Sequence, residues 1–307
     1  MSLRDLPAGL PPDEVEKLRW ETFAHKRAFC LKSVGELLRF TRRRGFVLLR
    51  PARGIHYPSV MEAAVGRPLL DFTWDEKVKQ VEGWKLNCIT SRRVVRSAVV
   101  AGCASLLSPV FLSHFYALSG NRGDLHDHKR RHQSGALTPE AAGVCQVLAR
   151  RGRLAAGQLA SELRWRGEHG RLRLESALGE ALRRLLVVEV EGSESDPETG
   201  LPVPAYDLLP RVCQEQVCKG RETDPQTARQ RIVCRYLRNV IVEDAREMAH
   251  VLGWSAAETL TTLQALVSKH MATAHPSSRY NRHLFQATAT DLLQAPPARG
   301  RPKEEGA

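Results

Sequence analysis

The strongest constraint on the fold is an ordered succession between Thr138 and Leu209: three short helical patterns followed by two strand-like runs. TPEAAGVCQVLARRG begins with Thr138 as a cap, Pro139 at the first helical position and Glu140 in the first turn. Val144, Val147 and Leu148 recur at helical spacing, and Gly152 ends the run. LAAGQLASEL supplies a second helix. After RWRGEHG comes RLRLESALGEALRRL, whose Leu174, Leu178, Leu182 and Leu185 form one apolar stripe with Arg171, Arg173, Arg183 and Arg184 off it. VVEVEG reads as a strand, SESDPETG as a turn and LPVPAYDLL as the returning strand. Helix, helix, basic amphipathic helix and hairpin are the order of a winged helix-turn-helix over 137–212. Its third helix can enter a major groove while the flanking arginines Arg164, Arg166, Arg171 and Arg173 touch phosphates.

The pattern recurs. RQRIVCRYLRNV, VEDAREMAHVLGW and SAAETLTTLQALVSKHM predict three helices of a further module over 226–290. In the last of them Ser255 and Glu258 stand at capping-box spacing, and Leu260, Leu263 and Val267 form its apolar side. A short ATAH strand follows, with a poorly developed wing. At the other end, SVGELLRFTRRRG predicts a helix stopping at Gly45, FVLLR a strand, and YPSVMEAAVGR a helix entered at Pro58. These define a first module over 1–70. Residues 71–136 read as a bridging segment of strand and helix pieces, and 294–307 as a disordered tail. The expected class is mainly α with small β wings (α+β), built from tandem winged helix-turn-helix modules.

Charge says what such modules meet. The 46 Lys+Arg against 34 Asp+Glu give a net charge of +12, which favours a polyanionic partner, here double-stranded DNA. Arg42, Arg43 and Arg44 before the FVLLR strand, with Arg50 after it, belong to the same expected surface. LHDHKRRHQSG offers His126, His128 and His132 beside Asp124, but Lys129, Arg130 and Arg131 in its midst make it a solvated basic loop suited to phosphate. No metal is expected there. Cys213 and Cys218 lack a second close pair, and the seven dispersed cysteines read as reduced thiols. Neither GxGxxG nor GxxxxGK occurs, so no nucleotide and no cofactor is expected. No apolar run approaches the roughly 18 residues of a membrane span, and the N-terminus lacks an apolar signal core. The expected place is the cytoplasm, on the nucleoid when DNA is bound.

The succession GFVLLRPARGIHYPSVMEAAVG, the GWK of Gly83 to Lys85, LSPVFLSHFYALSG from Leu107 and the unit from Thr138 resembles the AlkZ-like winged-helix DNA glycosylases, over about Leu31 to Met271. The resemblance implies three tandem winged helices clasping DNA. In the true glycosylases it implies hydrolytic excision of alkylated or cross-linked bases by a Gln-apolar-Gln or Gln-apolar-Asp motif after a glycine-led strand, and a C-terminal barrel for which the residues after Met271 leave little room. Aligned on its glycine, this chain has Leu48, Leu49 and Arg50 at that motif. Leucine neither holds nor deprotonates water, and arginine is a fixed cation beside a site where positive charge develops. Gln214-Glu215-Gln216 has the glutamine spacing but follows the second module and has a charged centre. Among nearby carboxylates, Glu62 is the residual catalytic candidate, ahead of Asp71 and Asp75. Three readings stand: a DNA-binding, non-catalytic or regulatory relative; a glycosylase with a displaced water-activating group; and a protein-docking scaffold.

Overall fold

The structure, a computed structural model, describes residues 11–69, 76–192, 203–277 and 282–288. The segments expected as the second hairpin's turn and the C-terminal tail, together with Asp71 and Asp75, lie outside the described residues. The chain is mainly α with three small antiparallel sheets. No helix among the described residues is long and apolar enough to cross a membrane.

The first module holds α1 (Pro12–Phe23), α2 (Val34–Arg44), β1 (Phe46–Leu48), α3 (Val60–Val65), α4 (Glu76–Thr90), β2 (Val95–Val100) and β3 (Cys103–Leu107). Ser33 caps α2 by accepting from the Glu36 amide at 3.3 Å. Gly45 ends it at φ 77°, where an added Cβ would lie 2.6 Å from a Phe111 ring carbon, so the position requires glycine. The strand begins there because three consecutive apolar side chains are buried at once. β1 pairs with β3, Phe46 opposite Leu107 and Leu48 opposite Ser105. That pairing moves a boundary. Residue 70 was the expected end of the module and 71–136 its linker, yet α4 and the β2–β3 hairpin complete the sheet that β1 starts, giving the order β1-β3-β2.

α5 (Pro109–Ser119) and α6 (Asp127–Gln133) lead into α7 (Pro139–Arg151), β4 (Leu154–Ala155), α8 (Ala156–Glu162), α9 (Gly167–Arg183), β5 (Val187–Val190) and β6 (Ala205–Leu208). The sheet order is β4-β6-β5. Then come α10 (Leu209–Val212), α11 (Gln214–Glu222), α12 (Pro225–Val240), β7 (Val242–Asp244), α13 (Ala245–Leu252), α14 (Ala256–Ser268), β8 (Ala272–Ser277) and β9 (Arg282–Ala287), ordered β7-β9-β8. Ser255 and Glu258 form the expected capping box, the Glu258 amide donating to Ser255 Oγ at 3.1 Å. The last hairpin is better developed than its sequence suggests. β8 and β9 pair from Ala272–Ala287 to Ser277–Arg282, because Ala272, Phe285 and Ala287 bury one face in the shared core while Leu284 on the other face packs with Val15, Ile241 and Val242.

The modules share their interior. Phe46 stacks on Tyr57 with ring centroids 5.4 Å apart, and Tyr57 on Tyr236 of α12 at 5.1 Å. Fully buried Asn239 donates through Nδ2 to the Arg44 carbonyl at 2.8 Å and to the Tyr57 hydroxyl at 2.6 Å. Arg19 of α1, itself buried, donates to the carbonyls of Val240 and Val242 at 3.0 and 3.1 Å. At the tip of the first hairpin the Ala101 amide donates to the Val251 carbonyl of α13 at 2.6 Å.

Glu243 on β7 is 2 % exposed, and burial pushes its carboxyl up to about 7. The native state therefore holds a proton that the unfolded chain releases near its ordinary value of 4.5. The stability this contributes is complete below that value and is lost as pH rises through about 7. Thermal melts across this range should show the decline in wild type and a flatter profile in Glu243→Gln; parallel profiles would refute the assignment.

Candidate nucleic-acid interface

In each module one helix immediately precedes the hairpin, α4, α9 and α14 in turn, and the three are not equivalent. α4 buries Val78, Val81, Glu82, Trp84, Lys85, Leu86, Cys88 and Ile89, leaving only a narrow polar stripe through Glu76, Gln80, Asn87 and Thr90 exposed. α14 has an open face at Ala256, Ala257, Leu260, Thr261 and Gln264, with no lysine or arginine within the helix. α9 is different. Leu174, Ala177, Leu178, Ala181 and Leu182 anchor it, while Arg171, Leu172 and Arg173 are exposed, Leu172 at 51 %.

The arginines around α9 fall into two groups. Arg171 is clamped by Glu168 at 2.6 Å and Glu175 at 2.5 Å. Arg173 reaches Glu140 at 2.8 Å and lies over the Trp165 ring at 4.8 Å, which orients its guanidinium. Arg164 and Arg166 flank that tryptophan, are exposed and have no carboxylate partner among the described residues. They are the cations best placed to exchange solvent for phosphate.

The other expected contacts are distributed unevenly. Arg42 and Arg43 are exposed, but Arg44 turns inward, donating to the Glu21 carbonyl at 3.2 Å, and burial lowers its pKa to about 10. Residues 127–133, expected as a loop, are helix α6. The buried Asp127 carboxylate accepts from the amides of Arg122, Gly123 and Asp124 at 2.8 to 3.2 Å, which fixes the turn that starts it. Lys129 is exposed, whereas Arg130 donates to the Gly120 carbonyl and Arg131 to Asn121 Oδ1, so two of the three cations have structural partners. His128 is buried between the Leu125 carbonyl and Gln146 Oε1. Among the described residues no three His, Cys, Asp or Glu gather as metal ligands.

Glu62 is 8 % exposed. Burial alone would raise its pKa, but His25 at 3.7 Å, the Leu69 amide at 3.2 Å and the Ser59 hydroxyl at 2.9 Å outweigh that and keep it below the ordinary carboxylate value. Its carboxylate is occupied by the local frame of α3.

A group of residues that sequence reasoning missed surrounds the glycosylase-motif position. Leu48 and Leu49 are 0 % and 4 % exposed, and Arg50 Nη2 lies 3.2 Å from Glu82 Oε1. The other oxygen of Glu82 takes Lys85 Nζ at 2.7 Å. Lys85 also lies 3.5 Å from Glu189 Oε1 of β5, and Arg96 Nε of β2 is 3.1 Å from Glu189 Oε2. Four further side chains thus continue from Arg50 across the joint of the first two modules. The Glu82-to-Lys85 spacing was the available signal. Glu189 also lines a cleft of about 710 Å³ beside Arg92, Arg153, Gln214 and Gln216, so the Gln-Glu-Gln run sits on its wall.

Three tandem modules of equivalent sheet order, each closed by a small three-stranded antiparallel sheet, define a repeated, mainly α architecture. The chain belongs to the AlkZ-related family, whose model matches residues 31–253. It is similar in fold to the solved Streptomyces sahachiroi DNA glycosylase AlkZ, with a TM-score of 0.52 and 14 % identity over 92 % of this chain and 72 % of that one. No curated protein matches.

Removing the central cation of the buried cluster leaves Glu82 and Glu189 poorly compensated. Lys85→Met should cost about 3 kcal/mol in denaturant unfolding, while Lys219→Met, at an exposed pair with Glu215, should leave the unfolding midpoint unchanged. Equal effects would show that the cluster is solvated.

Proposed function

We propose that the protein binds double-stranded DNA through α9 and the arginines preceding it, as a non-catalytic or regulatory relative of the AlkZ-type glycosylases. The observation that carries the non-catalytic part is the chemistry at positions 48–50. Two leucines closed off from solvent and an arginine paired to Glu82 provide no group there that accepts a proton from water. The DNA part is supported by α9 itself: an exposed basic start, an aromatic holding Arg173 in place and an exposed Leu172 suited to a thymine methyl. Phosphate contacts from Arg164 and Arg166 would fix orientation, while Leu172 and Arg173 would face base edges.

A second reading, base excision with a displaced carboxylate, finds its support in Glu189. One of its oxygens makes no hydrogen bond, only the 3.5 Å ion pair with Lys85, although the residue is 2 % exposed and lines the cleft. Glu62, with its oxygens occupied, supports that reading less.

Fluorescence anisotropy with an undamaged duplex across a salt series tests the main reading. Wild type should bind with a log–log salt slope of several units, and Arg164→Gln/Arg166→Gln should lower that slope by about 2. No binding even at low salt would overturn the DNA assignment and favour protein docking. Release of an alkylated base by wild type, abolished in Glu189→Gln, would replace the non-catalytic reading with the enzymatic one.

A further inference from the structure

The helix before the third module's hairpin, α14, carries no cation, yet the module is not without positive charge, because its first helix, α12, supplies it. Arg231 and Arg235 stand one turn apart on α12, Arg235 against the end of α2 and Arg231 near His114 of α5. The junction is tight: Arg235 Nη1 donates to the Arg43 carbonyl at 2.5 Å, and one turn further on Asn239 donates to the Arg44 carbonyl at 2.8 Å. α2 brings Arg42 and Arg43 to the same junction in its last turn. Arg42, Arg43 and Arg231 are exposed, and none has a carboxylate partner among the described residues.

Like charge adds to burial in lowering the pKa of its neighbours. Burial, and next the charge of Arg235, hold Arg44 down to about 10. Burial, then Arg231, lowers the pKa of His114 on α5. Glu21 offsets only part of the field at Arg44. Some surface arginines are matched, as Arg150 and Arg151 are by Glu162 and Arg229 is by Glu258, while Arg42, Arg43 and Arg231, like Arg164 and Arg166, have no carboxylate among the described residues. A cluster of cations with little local countercharge, its Arg235 tied to a backbone carbonyl, suits a partner of regularly spaced negative charge.

We infer that the ridge formed by the C-terminal turn of α2 and the exposed side of α12 is a phosphate-backbone contact for double-stranded DNA, through which the third module engages the duplex with its first helix instead of the helix before its hairpin. The inference rests on the DNA-binding reading and adds a surface to it. Hydrogen bonds from these guanidiniums reach phosphate oxygens only, so the ridge contributes affinity and salt dependence and no base preference.

The test uses the full chain and a short labelled duplex in anisotropy titrations from low to physiological salt, comparing wild type, Arg42→Gln/Arg231→Gln and Arg164→Gln/Arg166→Gln. Both ridge side chains are exposed, so the double variant should keep the wild-type melting temperature. The ridge variant should lower the log–log slope by about 2 and the affinity by roughly tenfold per arginine near 0.1 M salt, equally for unrelated duplex sequences. A ridge variant with the wild-type slope, while the α9 variant loses slope, overturns this inference and leaves the DNA-binding reading standing. Failure of wild type to bind any duplex overturns both. A loss confined to one duplex sequence overturns the backbone assignment, since it would mean the ridge reads bases.

Discussion

Asn239 holds the molecule together at one point. Its amide satisfies the carbonyl left open where α2 ends and the hydroxyl of a tyrosine sealed between two aromatic rings. Buried polar groups must be paired, and here the pairing partner comes from a different module. The first strand, its flanking helix end and α12 are therefore positioned by one side chain. Arg19 repeats the device from α1, tying off the carbonyls beside the turn into β7. Apolar contact supplies the bulk of the joint, but these bonds select its register.

A second joint is made by charge, where the exposed Arg50 pairs with the buried Glu82. Glu82 is then shared with Lys85, which brings in Glu189 and through it Arg96. The buried members, Glu82, Lys85 and Glu189, depend on one another, since removing one leaves the others uncompensated.

The sequence made the helices and the triple repetition legible because capping residues and apolar periodicity are local signals. Thr138, Ser255 and Gly45 act where the sequence put them. The first hairpin was hidden because β2 and β3 earn their place by pairing with β1, a contact dozens of residues back, and the last hairpin because RHLFQA is too short and mixed to stand out. At the candidate interface Arg164 and Arg166 were legible as exposed cations. The inward turn of Arg44 and the tethering of Arg130 and Arg131 were not, since their partners are backbone carbonyls or side chains fixed only by tertiary packing. The charge cluster around Lys85 escaped for the same reason: Glu189 lies more than a hundred residues away in sequence.

The bond from Asn239 to Tyr57 spans 182 residues, and those of Arg19 to Val240 and Val242 span 221 and 223. During synthesis the N-terminal module is thus made long before the surface that covers it. Phe46 can meet Phe111 and Phe115 as soon as α5 is made, but until α12 has left the ribosome Tyr57 lacks the ring of Tyr236 and the Arg44 carbonyl its donor. Completion of this joint therefore waits on α12, and the first module's sheet is made long before the side chain that fixes its register against the third.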